Sequence, residues 1–244
     1  MAPASPAADV LEELEEAATA LDSEAPEAVL RWASERYGEG LTLACSFGGT
    51  SGMALVDMVS KLDLGIEVFF LDTGFLFPET YTSVGEVERR YGIRAVAYRP
   101  SLSPEEQAAE FGEALWSSAP DMCCTLRKVE PNYRALAGRG AWVTGLRRDQ
   151  SSDRRTVRPV EWDWKFGLAK VNPLASWTED QVFDYIREHD VPYNALHDQG
   201  YLSIGCTHCT RAVARGEDPR AGRWAGFSKT ECGLHLTSSS QWRS

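Results

Sequence analysis

Leu41-Thr42-Leu43-Ala44-Cys45-Ser46-Phe47-Gly48-Gly49-Thr50-Ser51-Gly52 is an apolar run that breaks into glycine, then into a helical pattern through Met53, Leu55, Val56, Met58 and Val59. The run Leu41–Ser46 is short and reads as a buried strand. A strand, a glycine-rich turn and a helix start make a natural anion cradle. Glycine lets the backbone approach a ligand, and free N–H groups at the helix start point toward negative charge. The alternation continues downstream: a second strand over Ile66–Leu71 ends in Asp72-Thr73-Gly74, a helix runs from Pro78 to Tyr91, and a third strand covers Ile93–Tyr98. This βαβαβ order predicts an α/β fold. Its Rossmann-like parallel sheet carries helices on both faces and a ligand at the C-terminal ends of the strands.

Further along, Leu126–Leu136 reads as a helix and Ala141–Thr144 as a fourth strand, leading into Gly145-Leu146-Arg147-Arg148-Asp149-Gln150-Ser151. Val157–Trp162 and Leu168–Val171 read as shorter strands, and Thr178–Glu188 as a helix capped by Ser176 or Thr178. Upstream, Asp9–Leu21 has Val10, Leu11, Leu14 and Leu21 at helical spacing, and Ala28–Tyr37 forms a second helical pattern. After Pro192 the regular patterns fade into Gly, Ser, Arg and Thr. The chain therefore divides into an acidic helical segment over 1–39, an α/β nucleotide-binding unit over 40–205, and a loop-rich, mobile tail over 206–244.

The 244 residues are 43% hydrophobic and 25% charged, an ordinary globular composition with enough chain for a substantial core. The net charge of −11 argues against generic nucleic-acid binding. Ten acids against Arg31 and Arg36 give residues 1–40 a net of −8, leaving only −3 on the other 204, so the remaining arginines can form local positive patches. Met1–Pro6 has neither a basic region nor a long apolar run, and no stretch approaches the roughly 18 apolar residues of a membrane span. A reducing cytoplasm is the expected setting, where cysteines serve metal binding or catalysis more often than disulfides.

Five of the six cysteines fall into three groups: Cys123-Cys124, Cys206-Thr207-His208-Cys209, and Cys232 by itself. Four thiolates can hold one inorganic centre, iron–sulfur or zinc, and leave the fifth free for covalent chemistry. Two unrelated buried pairs are the plain alternative. An adjacent Cys-Cys pair suits a cluster whose neighbouring metal corners each take one thiolate. Cys232, between Lys229 and His235, sits where positive charge favours the thiolate, although such a residue can also be a spare surface cysteine. Cys45 ends an apolar strand and reads as core. His208 reads as a hydrogen-bond donor to sulfur, while His189 and His197 give no functional signal. Basic residues accompany these groups: Arg127 and Lys128 after Cys124, Arg147 and Arg148 after a strand end, and Arg211, Arg215, Arg220 and Arg223 after the CxxC. Scattered arginines are usually solvated. Placed here, their guanidinium forks suit sulfate or phosphate oxygens.

From about residue 40 to 236 the chain resembles the assimilatory adenylylsulfate (APS) reductases, the iron–sulfur branch of the APS/phosphoadenylylsulfate (PAPS) reductase family. The resemblance rests on Leu71-Asp72-Thr73-Gly74 with Pro78-Glu79-Thr80-Tyr81, Cys123-Cys124 with Arg127-Lys128-Val129-Glu130-Pro131, and Thr144–Gln150. It continues through Cys206 and Cys209, Gly216–Trp224 and Glu231-Cys232-Gly233-Leu234-His235. Ser46-Phe47-Gly48-Gly49-Thr50-Ser51 departs both from the family's usual loop and from the ATP-pyrophosphatase pattern, which speaks against ATP cleavage.

The resemblance implies an adenine nucleotide alpha-hydrolase-like fold and a [4Fe-4S] cluster on Cys123, Cys124, Cys206 and Cys209. It implies that the nucleotide lies near Ser46, Gly48, Gly49, Thr50, Ser51, Leu71, Asp72, Thr73 and Gly74, and that Lys128, Arg147, Arg148, Arg220 and Arg223 serve the phosphosulfate. Cys232 is then the nucleophile that forms S-sulfocysteine, with His235 and Lys128 assisting. Thioredoxin or a similar dithiol releases sulfite, the tail swings between the two steps, and a homo-oligomer is compatible with all of this. PAPS or dual specificity is the nearest alternative. A non-catalytic zinc or redox-sensing nucleotide module is another, and a tRNA thiolase is disfavoured by the acidic charge.

Overall fold

The computed structural model describes residues 5–214, 216–227, 229 and 231–235. Helices α1 (Ala8–Leu21) and α2 (Pro26–Tyr37) lead into β1 (Leu41–Ala44), α3 (Thr50–Lys61), β2 (Glu67–Leu71), α4 (Pro78–Tyr91) and β3 (Val96–Tyr98). Short helices α5 (Pro104–Phe111), α6 (Leu115–Ser118) and α7 (Pro120–Cys124) follow, then α8 (Glu130–Leu136) and β4 (Ala141–Val143). The strands β5 (Val160–Asp163) and β6 (Leu168–Val171) and the helix α9 (Glu179–Glu188) complete the regular elements.

The strands form one six-stranded sheet in the order β3-β2-β1-β4-β6-β5. All neighbours are parallel except β5, which runs antiparallel to β6 with Val160 opposite Val171. This edge departs from the all-parallel expectation for a simple reason. Only Trp164–Gly167 joins β5 to β6, too little chain for a crossover.

Side chains alternate across the sheet with a period of two. Leu41, Leu43, Val68, Phe70, Ala141 and Val143 join one buried cluster, which takes in residues of α1, α2, α3 and α9. Their strand neighbours Phe69 and Trp142 join a second cluster with Ala135 and Leu136 of α8. Helices thus cover both faces, which is why these strands read as nearly continuous apolar runs. The acidic α1 lies against β5, with Leu14 and Ala18 buried and Glu15 and Asp22 paired to Arg158 and Arg148.

Helix ends follow local chemistry. α4 begins at Pro78, where the missing N–H costs nothing, and stops at Gly92 in the left-handed region, φ 65°. α9 is capped by Thr178, whose hydroxyl accepts from the Gln181 N–H at 3.2 Å within a capping box. The helix expected over Leu126–Leu136 is interrupted. Thr125–Val129 is a five-residue π-turn, because Pro131 has no N–H to give the Arg127 carbonyl.

The chain reverses direction in the sheet between β1 and β4. The loops after these two strands, Cys45–Gly49 and Thr144–Arg147, therefore part at the sheet's C-terminal edge and leave a crevice there.

Candidate active site

A cavity of about 400 Å³ fills that crevice. Its wall includes Ser46, Gly48, Gly49, Thr50, Ser51, Leu71 and Thr73 from the first two βα turns, Lys128 from the π-turn, Arg147 after β4, and Arg220, Arg223, Cys232 and His235 from the tail. Phe47, within the first turn, holds a left-handed backbone at φ 52° and is fully buried, its ring edge-on to Phe70 at 5.6 Å. A non-glycine residue there is strained, and its core contact holds the turn in place.

The first wall of the cavity carries charges already spent on one another. Arg147 is 1% exposed. Its guanidinium donates to Asp149 Oδ1 at 3.0 Å and also to Ser51 Oγ and a carboxylate oxygen of Glu179. The other Glu179 oxygen accepts from Thr50 Oγ1 at 3.1 Å, and the Glu179 N–H donates to Asp149 Oδ2 at 2.6 Å. Gly145 permits this closeness: a Cβ at that position would stand 2.9 Å from the Ser51 Cβ. Arg147 therefore lines the cavity, but its positive charge faces two carboxylates.

The second wall is sulfur and cation. Cys123 and Cys124 end α7, and the π-turn sends Arg127 and Lys128 to different duties. Arg127 is 1% exposed and donates to Gln107 Oε1 at 2.7 Å and to the Thr73, Leu102 and Ser103 carbonyls, clamping the cysteine pair to the loop after β2. Lys128 lines both this cavity and a smaller one lined by Cys123, Cys124, Cys206 and Cys209 with Phe75, Trp116, His208 and Trp224. His208 stacks on Trp116 at 3.8 Å, and Thr73 Oγ1 lies 3.4 Å from Cys206 Sγ. Burial pushes the Cys123 and Cys124 thiols up to about 11. All six cysteines are free of disulfides. Among the described residues no three His, Cys, Asp or Glu side chains gather closely enough for a single ion.

The tail closes the cavity. Glu231 accepts from Arg154 Nε and Nη2, both at 2.8 Å, and meets Arg220 Nη2 at 3.2 Å. Lys165 Nζ donates to the Gly233 carbonyl at 2.5 Å. Cys232 is thereby held beside Lys128. Burial alone would raise its pKa; Lys128, the Leu234 N–H and Arg223 outweigh burial and Glu231, leaving the thiol below its ordinary value. Arg223 lies over the Trp224 ring at 4.4 Å and fits because residue 205 is glycine, where a Cβ would come within 2.4 Å of Nη2. His235 stacks on Trp142 with ring centroids 5.5 Å apart. Burial and the cations Lys170, Arg154, Arg220 and Lys165 hold its pKa well below the usual range, so the ring is neutral. Arg223 Nε and His235 Nδ1 are buried with no hydrogen-bond partner among the described residues.

Not every residue singled out in the sequence reaches this cavity. Asp72 turns away to Arg99 at 2.9 Å and Tyr81 at 2.7 Å, and Gly74 abuts Pro104. Arg148 donates to the Val157 carbonyl at 2.8 Å and pairs with Asp22, the residue that ends α1. Arg211 pairs with Glu217, and Arg215 lies outside the described residues, as do 236–244 of the tail. Cys45 is buried core, with burial pushing its thiol up to about 12. Conversely, Arg154, Glu179 and His197 line the cavity without having been singled out; His197 Nε2 lies 3.0 Å from the Gly48 carbonyl. Their contacts span 77, 129 and 149 residues, so no local pattern announces them.

A mostly parallel sheet with a crevice at its topological switch point, a glycine turn and a docked cysteine tail defines a nucleotide-handling α/β protein with a thiol in its site. A family described as "Phosphoadenosine phosphosulfate reductase domain" matches residues 40–212, and the chain belongs to that APS/PAPS reductase family. It is 50% identical over 208 residues to an adenosine 5'-phosphosulfate reductase of Shouchella clausii, covering 85% of this chain and 86% of that protein. It is equally similar to adenosine 5'-phosphosulfate reductase 2 of Bacillus subtilis, covering 85% and 88%. A crystal structure of phosphoadenylyl-sulfate (PAPS) reductase from Candida auris, in a phosphate complex, superposes with a TM-score of 0.75 at 35% identity, covering 86% of this chain and all of that one. The FMN adenylyltransferase of Candida glabrata, at TM-score 0.56 and 14% identity over 88% of this chain and 71% of that one, shares the fold alone. Among the described residues no helix is long and apolar enough to cross a membrane.

Proposed function

We propose that this protein reduces adenosine 5'-phosphosulfate to sulfite and AMP in sulfate assimilation and cysteine biosynthesis, with thioredoxin or a similar dithiol as reductant. The observation that carries the reading is the docked Cys232, its thiol depressed by Lys128 and Arg223 against its burial, in a nucleotide-sized cavity with unsatisfied polar atoms. The naming of the bacterial relatives supports APS as substrate.

The Cys232 thiolate attacks the sulfate sulfur, an S–S bond forms, the bridging S–O bond breaks, and AMP leaves with that electron pair. Lys128, Arg220 and Arg223 neutralise the phosphosulfate oxygens as charge moves toward the departing phosphate. Neutral His235 offers its ring N–H to the same oxygens. A thiolate of the dithiol then attacks Cys232 Sγ, the bond to the sulfonate breaks, and sulfite is released. The second thiol closes the partner's disulfide and restores Cys232 as a thiol, so both electrons come from the dithiol. For that exchange the stretch Glu231–His235, which carries Cys232, leaves the cavity it lines, while Cys206 and Cys209 stay in place.

Cys123, Cys124, Cys206 and Cys209 fit a [4Fe-4S] cluster. Four thiols without disulfide partners line one aromatic-walled cavity beside Lys128. Burial raises the Cys123 and Cys124 thiols, so a metal held there would take the place of their protons. When bound, the cluster supplies fixed sulfur anchors and negative charge that hold Lys128 in place.

Incubation of purified protein with sulfur-labelled APS and no reductant tests the reading. Label is expected on Cys232 by mass spectrometry and is released as sulfite by thioredoxin. A Cys232→Ser protein that still takes up label overturns it.

A further inference from the structure

The charged residues lining the cavity divide into two sets. Lys128, Arg154, Arg220 and Arg223 stand against Glu231, four cations to one carboxylate. Arg147 stands against Asp149 and Glu179, one cation to two carboxylates. The second set lies where the sequence leads one to expect an anion cradle, at the start of α3. That start has Gly49 as its N-cap, with no capping side chain. The Glu179 carboxylate, reaching from the first turn of α9 to Thr50 Oγ1, answers the positive end of α3 from within the protein. Ser51, beside Thr50 at the start of α3, is engaged by Arg147, which Glu179 also holds.

We infer that Glu179 is a specificity-determining residue: its carboxylate fills the cradle of the glycine turn and excludes nucleotides that carry a phosphate beyond the phosphosulfate. This rests on the proposed sulfonucleotide substrate and refines it. A phosphosulfate has the cation-rich set available to it. A second phosphate, as on the 3'-oxygen of PAPS, meets at the glycine turn a net negative wall whose one guanidinium is already paired twice. Discrimination of this kind works by an unfavourable term against the wrong ligand.

The test compares kcat/KM for APS and PAPS in wild type, Glu179→Gln and Asp149→Asn, together with calorimetric binding of AMP and adenosine 3',5'-bisphosphate. Wild type is expected to prefer APS. Glu179→Gln keeps the shape, removes the charge and frees Arg147, so the PAPS-to-APS ratio rises about 10-fold and the bisphosphate gains on AMP by a similar factor. Asp149→Asn shifts both ratios in the same direction by less. The readout is a ratio, so a general loss of folding or turnover, which lowers both rates alike, does not imitate it. A wild-type enzyme that uses PAPS as well as APS, or ratios that do not move in Glu179→Gln, overturns the inference. If wild type forms sulfite from neither compound, the proposed reaction falls instead, and the binding ratio still decides the role of Glu179.

Discussion

The Cys123-Cys124 pair and the Cys232 thiol both have Lys128 nearby, and their pKa values shift in opposite directions. Cys123 and Cys124 end a helix in an aromatic-walled recess where burial pushes them up to about 11. Cys232 is partly buried, yet its pKa falls below the ordinary value because Lys128, the Leu234 N–H and Arg223 outweigh desolvation and Glu231. The recess suits thiols that surrender their protons to a metal, and the tail suits a thiol whose neighbours favour the thiolate. The difference lies in the neighbours: Lys128 acts on both Cys124 and Cys232, but Cys123 and Cys124 face other thiols that raise them, while Cys232 has Arg223 and the Leu234 N–H beside it.

The severest way to break this contrast is to remove the reactive sulfur. Cys232→Ser is expected to lower sulfite formation by on the order of 10⁴-fold, while the circular dichroism and thermal midpoint stay close to wild type. Steady-state sulfite assays and a melting curve measure both. Turnover within 10-fold of wild type removes Cys232 from the chemistry.

Lys128→Met should cost less, about 100-fold in kcat/KM, as the loss of one charge near the reacting oxygens. It also sharpens the electrostatic claim. A depressed thiol pKa means that the thiolate is present above that pKa and is lost as pH falls through it. The pH profile of iodoacetamide alkylation at Cys232 is therefore expected to have its midpoint below that of a free thiol in wild type. In Lys128→Met the midpoint moves upward, since the largest lowering influence is gone. An unmoved midpoint means that Lys128 does not set the state of Cys232.

How far all this was legible in the chain depends on the distance over which each element is decided. α4 could be read end to end because Pro78 and Gly92 mark both ends locally. β1, β2 and β4 showed as apolar runs because both faces of each are covered. The π-turn was missed although Pro131 carried its signal, and the antiparallel edge was missed although four residues between β5 and β6 allow nothing else. The cysteine groups and the lone Cys232 of the tail stood out as residue types in unusual spacing. Which arginine serves which anion did not. Arg148 and Arg147 are neighbours in sequence, yet one pairs with Asp22 across 126 residues and the other with Glu179 across 32. Long-range carboxylates settle the matter, and periodicity contains nothing about them.

Glu231→Gln is the smallest of these effects and the finest probe of the contrast. Glu231 joins the tail to the body through a bidentate contact with Arg154 and a third contact with Arg220, and the side chains of Glu231 and Arg154 are only 16% and 9% exposed. Loss of its charge loosens the tail, so kcat/KM for APS falls about 10-fold, or about 1.4 kcal/mol. Glu231 also raises the Cys232 pKa, so the variant's thiolate fraction goes up. Alkylation of Cys232 should therefore quicken while turnover slows. A nucleophile-activating role for Glu231 requires the two rates to fall together, whereas a positioning role requires them to separate. Swapping the pair, Arg154→Glu with Glu231→Arg, restores part of the loss if the contact itself is what positions the tail. If the two rates fall in step in Glu231→Gln, Glu231 activates the nucleophile and its role in positioning the tail falls.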